Sequence, residues 1–191
     1  GWMERRKASC LAVTVFLIWS VAGCASWNAF QREGDLRMAG LGAAVEILRD
    51  EKGMAYIHAA NEDDLLWAQG FVTAQDRLFQ MELTRLFVSG RLSELVGEAG
   101  RASDIRMRTI GFVRQAERHA AILNDGTRRF LQTYLNGVNA FMARKEDRPL
   151  EFRLSGLDPR PWTLTDSLAI AYFMGWESAA NLKDEILAQA L

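Results

Sequence analysis

Between Asn61 and Gly90 the apolar residues follow a helical period. Leu65, Ala68, Val72, Leu78, Met81 and Leu86 fall on one stripe, and Leu66, Phe71 and Phe79 widen it. Asn61 or Asp63 can cap this helix, with Asp63 and Asp64 near its positive end. Its middle, AQDRLFQMELTR (residues 74–85), carries Gln75, Asp76, Arg77, Glu82 and Arg85 among apolar neighbours. Polar groups spread around a helix this hydrophobic must in part approach the core. Buried charges persist there only when paired and hydrogen-bonded. Glu82 and Arg85 have the spacing to pair, and Arg91 and Glu94 offer further partners. The set is therefore expected to lock one helix to its neighbours, a structural role.

Before this helix, Val45–Arg49 is β-branched and partly alternating, Asp50–Gly53 reads as a turn, and Met54–Ala59 reads as a second strand. Together they predict a hairpin. After Gly90 a short piece, Arg91–Val96, leads through Gly97 and Gly100 to a helix expected from Asp104 to about Leu123. Asn124-Asp125-Gly126 breaks the pattern. Thr127 is expected to cap another helix, with Leu131, Tyr134, Leu135, Val138, Phe141 and Met142 at helical spacing. Leu150–Leu154 reads as a short strand, and Leu157–Trp162 as a loop held by Pro159 and Pro161. Thr163 or Thr165 starts a final helical region from Asp166 to Leu191. That region reaches the last residue in mid-pattern, so the native polypeptide or gene is expected to continue. The pattern predicts an α+β chain, mostly helical, with an N-terminal β-hairpin.

The N-terminal segment reads differently. Glu4-Arg5-Arg6-Lys7 is followed by the apolar run Cys10–Gly23, shorter than a bilayer span and suited to a signal-peptide core. Val21-Ala22-Gly23-Cys24 resembles a bacterial lipobox, which implies cleavage before Cys24 and lipid attachment to its sulfur. The alternative is an ordinary secretory signal with Cys24 incidental. Either reading exports the protein, and the first makes it a membrane-anchored periplasmic lipoprotein. Residues 25–42, with Gly34, Gly40 and Gly42 and no clear period, read as a linker between anchor and domain.

Composition changes this picture little. The chain has 191 residues, 49% of them hydrophobic, enough for one domain with a sizeable core. A net charge of −1 gives no electrostatic footprint for nucleic acid. Cys10 and Cys24 form no CxxC pair, and the two histidines, His58 and His119, lie far apart. The sequence thus offers no spacing typical of a cysteine or histidine metal site. No GxSxG elbow or phosphate loop is present. His58 falls in the hairpin as a strand or packing residue, and His119, on a polar helix, is expected to face solvent. Asp63/Asp64 reads as helix-start chemistry, and neighbouring carboxylates on a helix diverge by about 100°. Spacing alone gives no active site.

The order of segments nevertheless resembles a known family. VEILRDEKGMAYIHA, AQGFVTAQDRLFQMELTR, SGRLSELVG, DIRMRTIG and YLNGVNA follow one another. Glu151-Phe152, Pro161-Trp162, Asp166-Ser167, Trp176 and Glu185 come after them. This series resembles the α-chain region of the penicillin amidase (penicillin acylase) family over residues 43–191, with Ala55 where the family usually has proline. The resemblance implies an αββα N-terminal nucleophile hydrolase, exported as a precursor that cuts itself into α and β chains. The catalytic serine would begin the β chain, leaving no catalytic residue in this chain, which alone would be inactive. It also implies that Phe173–Asn181 forms a wall of the acyl pocket, with Trp176, Glu177 and Asn181 binding substrate. Glu185 would supply one ligand to a structural calcium. The substrates implied are N-acyl compounds, either β-lactams such as penicillins or acyl-homoserine lactones. The competing reading is a helical periplasmic lipoprotein acting as a non-catalytic binding or structural module.

Overall fold

The computed structural model describes residues 33–179. The expected hairpin forms from β1 (Glu46–Arg49) and β2 (Ala55–His58), antiparallel, with Leu48 opposite Tyr56 and Ile47 opposite Ile57. Gly53 supplies the left-handed residue of the turn (φ 80°), and the Asp50 carboxylate accepts the amides of Lys52 and Met54.

The long helix α1 runs over Glu62–Val88. Asn61 caps it by accepting the Asp64 amide at 2.9 Å. Gly90, with φ 66°, turns the chain away beyond its end. Then follow α2 (Ser93–Val96), α3 (Arg101–Ile110), α4 (Phe112–Ile122), α5 (Asp125–Met142), α6 (Leu150–Ser155) and α7 (Leu164–Ser178). Among the described residues no helix is long and apolar enough to cross a membrane.

The helix expected over 104–123 is two helices. Gly111 is left-handed (φ 82°) and its amide closes α3 on the Met107 carbonyl, so the chain turns there. Asp104 does not start α3. Its buried carboxylate instead accepts the amides of Leu92 (2.7 Å) and Ser93 (3.0 Å), fixing the turn after α1. The cap of α5 is Asn124, which accepts the Thr127 amide. Leu150–Leu154, expected as a strand, belongs to the helix α6. The run is too short for periodicity to distinguish the two states. Pro149 before it and left-handed Gly156 after it bracket a helical turn that buries Phe152 against Phe79, ring centroids 5.2 Å apart.

The core is built where α1 crosses α5. Gly70 and Gly137 let the two backbones touch. A Cβ at Gly70 would lie 2.0 Å from the Tyr134 carbonyl oxygen, and one at Gly137 1.8 Å from that of Trp67. Around this crossing Trp67, Phe71, Leu78, Leu135, Val138 and Phe141 are buried. Each such side chain contributes about 1.5–3 kcal/mol by leaving water. A second cluster joins Val88 of α1 to Met107, Phe112, Ala116 and Ala169, and so ties α3, α4 and α7 together.

Part of the segment read as linker lies on this core. Leu36, Met38 and Leu41 pack against it, and the Gly42 and Ala43 amides donate to Asp64 at 2.7 and 2.9 Å. Two consecutive amides on one carboxylate hold the chain down where its glycines had suggested a free tether.

Candidate functional site

Asp64 is therefore more than helix-start chemistry. Its carboxyl is held below the ordinary carboxylate range, first by the Gly42 amide, then by the Asn61 side chain and the Ala43 amide. Asp104 is held low as well. Burial opposes this, and the hydrogen bonds from Ser93 and Leu92 overcome it.

The polar set of α1 divides into two groups. Asp76 pairs with Arg49 of the hairpin at 2.9 Å in a partly exposed setting, and Gln75 accepts from the same arginine at 2.7 Å. Arg77 is exposed at the rim of an open polar cleft of about 900 Å³ that also includes Lys52, Asp147 and Glu151. Only Glu82 and Arg85 turn fully inward. The Arg85 guanidinium pairs with Glu82 and with Asp166 of α7, and donates to the carbonyls of Arg160 (2.9 Å) and Pro161 (3.3 Å). It also lies 4.8 Å from the Trp162 ring centroid. The two-proline loop is thus fastened to α1 from inside. Asn139 of α5 fastens it a second time by exchanging hydrogen bonds with the Trp162 backbone, 2.7 and 2.9 Å long.

Asp166 joins this network to α7. It accepts the Thr163 amide and hydroxyl in a capping box and also receives Arg160 at 3.1 Å. Thr163 is therefore the cap, and α7 is aimed by a buried ion network. The outer half of α7 then carries a run of aromatic contacts. Phe173 meets Phe87 at 5.4 Å and Phe112 at 5.9 Å, and Phe112 meets Trp176 at 5.9 Å.

Of the residues expected to bind substrate, Trp176 stands at the surface end of that run, 36% exposed, with Arg106 over its ring at 5.4 Å. Glu177 follows it and is exposed. Asn181, Glu185 and Cys24 lie outside the described residues. Among the described residues no group of three or more His, Cys, Asp or Glu side chains could hold a metal. His119, expected in solvent, is half-buried, with its Nδ1 2.8 Å from the Tyr172 hydroxyl of α7. His58 is exposed on β2.

The sequence reading missed the tie between Arg85 and Asp166, which are 81 residues apart. It also passed over Gly70 and Gly137. Isolated glycines inside a strong helical pattern were the available signal for a close crossing.

This mostly helical α+β fold, with a hairpin before a long helix and α7 fixed by buried ions, matches known proteins. The chain belongs to the penicillin amidase family, which it matches over residues 44–191. It is 40% identical over 142 residues to penicillin acylase 2 proenzyme of Pseudomonas sp. strain SE83, covering 74% of this chain and 18% of that protein. It is 34% identical over 179 residues to the acyl-homoserine lactone acylase QuiP of Pseudomonas aeruginosa, covering 90% of this chain and 21% of that one. The thermostable penicillin G acylase of Alcaligenes faecalis superposes with a TM-score of 0.61 at 30% identity, over 77% of this chain and 80% of that chain. The chain thus spans about a fifth of the length of the curated relatives it matches.

Proposed function

We propose that this chain is the α-chain portion of a secreted acylase that hydrolyses the amide bond of N-acyl compounds. The family match across residues 44–191 carries the reading, with relatives named for penicillins and for acyl-homoserine lactones. In this reading the nucleophile is the N-terminal serine of a β chain released from the same precursor. Its own α-amino group, titrating at about 7.7–8.0, is the base near neutral pH. The serine attacks the amide carbonyl and the amine leaves. Water then releases the acid from the acyl-enzyme.

The α region's part is positional. Arg85, Glu82 and Asp166 set the direction of α7, whose aromatic outer half carries Trp176 toward the acyl group. Glu177 and Asn181 complete that wall in this proposal. Glu185 contributes a carboxylate to a structural calcium shared with the β chain, a donor that suits the ion's preference for oxygen. When bound, that ion cross-links the chains. Cys24 carries the lipid that anchors the enzyme in the periplasm, each buried CH₂ adding about 0.8 kcal/mol.

On the hairpin, Leu48 lies opposite Tyr56 and both are exposed, with exposed Met54 beside them, an apolar face that supports a partner chain over the non-catalytic lipoprotein reading. The test is to express the full precursor, follow its cleavage by mass, and assay phenylacetyl and octanoyl amides. Cleavage before a serine, with hydrolysis of one or both amides, is expected. Trp176→Ala should raise KM more than it lowers kcat. An uncleaved, inactive protein, with residues 40–191 melting cooperatively on their own, would establish the lipoprotein module instead.

A further inference from the structure

The face that α4 turns away from the core is basic. Arg114, Arg118 and Ile122 recur every four residues and are exposed, so they form one stripe, while Phe112 and Ala116 on the opposite side are buried in the second cluster. Ile122 ends the stripe at 81% exposure, and Phe130 on α5 is exposed as well. Arg128 of α5 reaches back to donate to the Ala120 carbonyl, which brings a third guanidinium to the Ile122 end. Residues 112–130 carry four arginines against Glu117 and Asp125, a local positive excess in a chain whose net charge is −1. Among the described residues no ion pair forms within this span. Arg114 and Arg128 donate only to neutral carbonyls, and the side chains of Arg118 and Arg129 have no partner among the described residues. The hollow beside Arg114 and Arg118 has no carboxylate among its described lining either.

An arginine's charge is permanent, and without a carboxylate beside it that charge is available to an approaching anion. A large apolar side chain projecting from a basic face adds nothing toward a free small anion. A lipid surface answers both features: anionic headgroups meet the arginines, and the headgroup–acyl boundary takes the aliphatic side chain. We infer that the outer face of α4 and its turn into α5 rest on an anionic lipid surface, with Arg114, Arg118 and Arg128 on headgroups and Ile122 inserted among them. The helix does not sink into the lipid, because its apolar side is already packed on α3 and α7. Three arginines and one aliphatic side chain make a reversible, salt-sensitive contact that orients the chain rather than anchors it. The inference rests on the exported-lipoprotein reading only for a membrane at hand. Vesicle binding is read without precursor cleavage or amide hydrolysis, so either can fail without the other.

The test uses the full-length protein exported with a cleavable leader in place of residues 1–24, so that no lipid is attached, and floated with vesicles. Vesicles of phosphatidylcholine with one-third phosphatidylglycerol should bind it at least about tenfold more tightly than pure phosphatidylcholine. Salt at about 0.5 M should release it. Arg118→Ala should weaken binding about fivefold and Ile122→Ser about threefold or more. Thermal midpoints should match the wild type, since both side chains are exposed. Arg37→Ala, at an exposed arginine outside this span, should bind like the wild type. Equal binding to the two vesicle types, or no binding to either, as when a β chain covers this face, would overturn the inference. So would Arg118→Ala and Ile122→Ser variants that bind like the wild type, or an Arg37→Ala variant that loses as much as Arg118→Ala.

Discussion

Arg85 on α1 reaches Asp166 on α7 across 81 residues of sequence, and the two buried side chains meet at 3.4 Å. Glu82 completes the pairing one helical turn away. Through this contact the long helix, the two-proline loop and the start of α7 become one body. The direction of α7, and hence the place of Trp176, follows from it.

Arg85→Ala should therefore damage the protein severely. It would strand the buried Glu82 carboxylate, leave Asp166 to Arg160 and Thr163, and release the Arg160 and Pro161 carbonyls, at a cost of about 3–5 kcal/mol. Chemical denaturation of soluble protein, or loss of soluble yield, measures this. A variant within about 1 kcal/mol of the wild type would show that the network is not what orders α7.

Asp76→Ala should be mild. Its partner Arg49 has other acceptors, the Gly53 carbonyl and Gln75, and the pair is partly exposed. A loss of under about 1 kcal/mol is expected. The sequence alone ranked Asp76 and Arg77 beside Arg85, so measuring both variants on one denaturation scale separates the two views.

Gly137→Ala should destabilise by about 1–3 kcal/mol or more, although alanine is the better helix former. The added methyl would lie 1.8 Å from the Trp67 carbonyl oxygen, so α1 and α5 must move apart. Gly175→Ala on α7, where nothing lies within 4 Å, is the control and should be neutral or slightly stabilising. Comparing their thermal midpoints tests the crossing directly.

Acid should loosen the attachment of residues 42–43 and the turn at 92–93. Asp64 and Asp104 have folded-state pKa values below their unfolded ones. Their contribution is complete above the unfolded value, about 3.9, and is lost as pH falls through the lower folded value. Amide exchange at Gly42, Ala43, Leu92 and Ser93 should accelerate, relative to intrinsic rates, below about pH 4. Asp64→Asn should flatten the response at Gly42 and Ala43 alone.

The sequence by itself determined the elements with strong local causes. The period of α1, the Asn61 cap, the Asp50–Gly53 turn and the order of segments that marks the penicillin amidase family are short-range facts. They depend on side chains within a few residues of one another. Tertiary structure decided the rest. Leu150–Ser155 is helical because Phe152 finds Phe79 between a proline and a left-handed glycine. Residues 36–43 are held because Asp64 presents both oxygens to their amides. Of the seven polar residues in AQDRLFQMELTR, only Glu82 and Arg85 became buried, because α7 and the two-proline loop arrive on that side of the helix. Helical period states which residues share a face. Which face meets a charged partner depends on where distant chain comes to rest, and no local pattern encodes it.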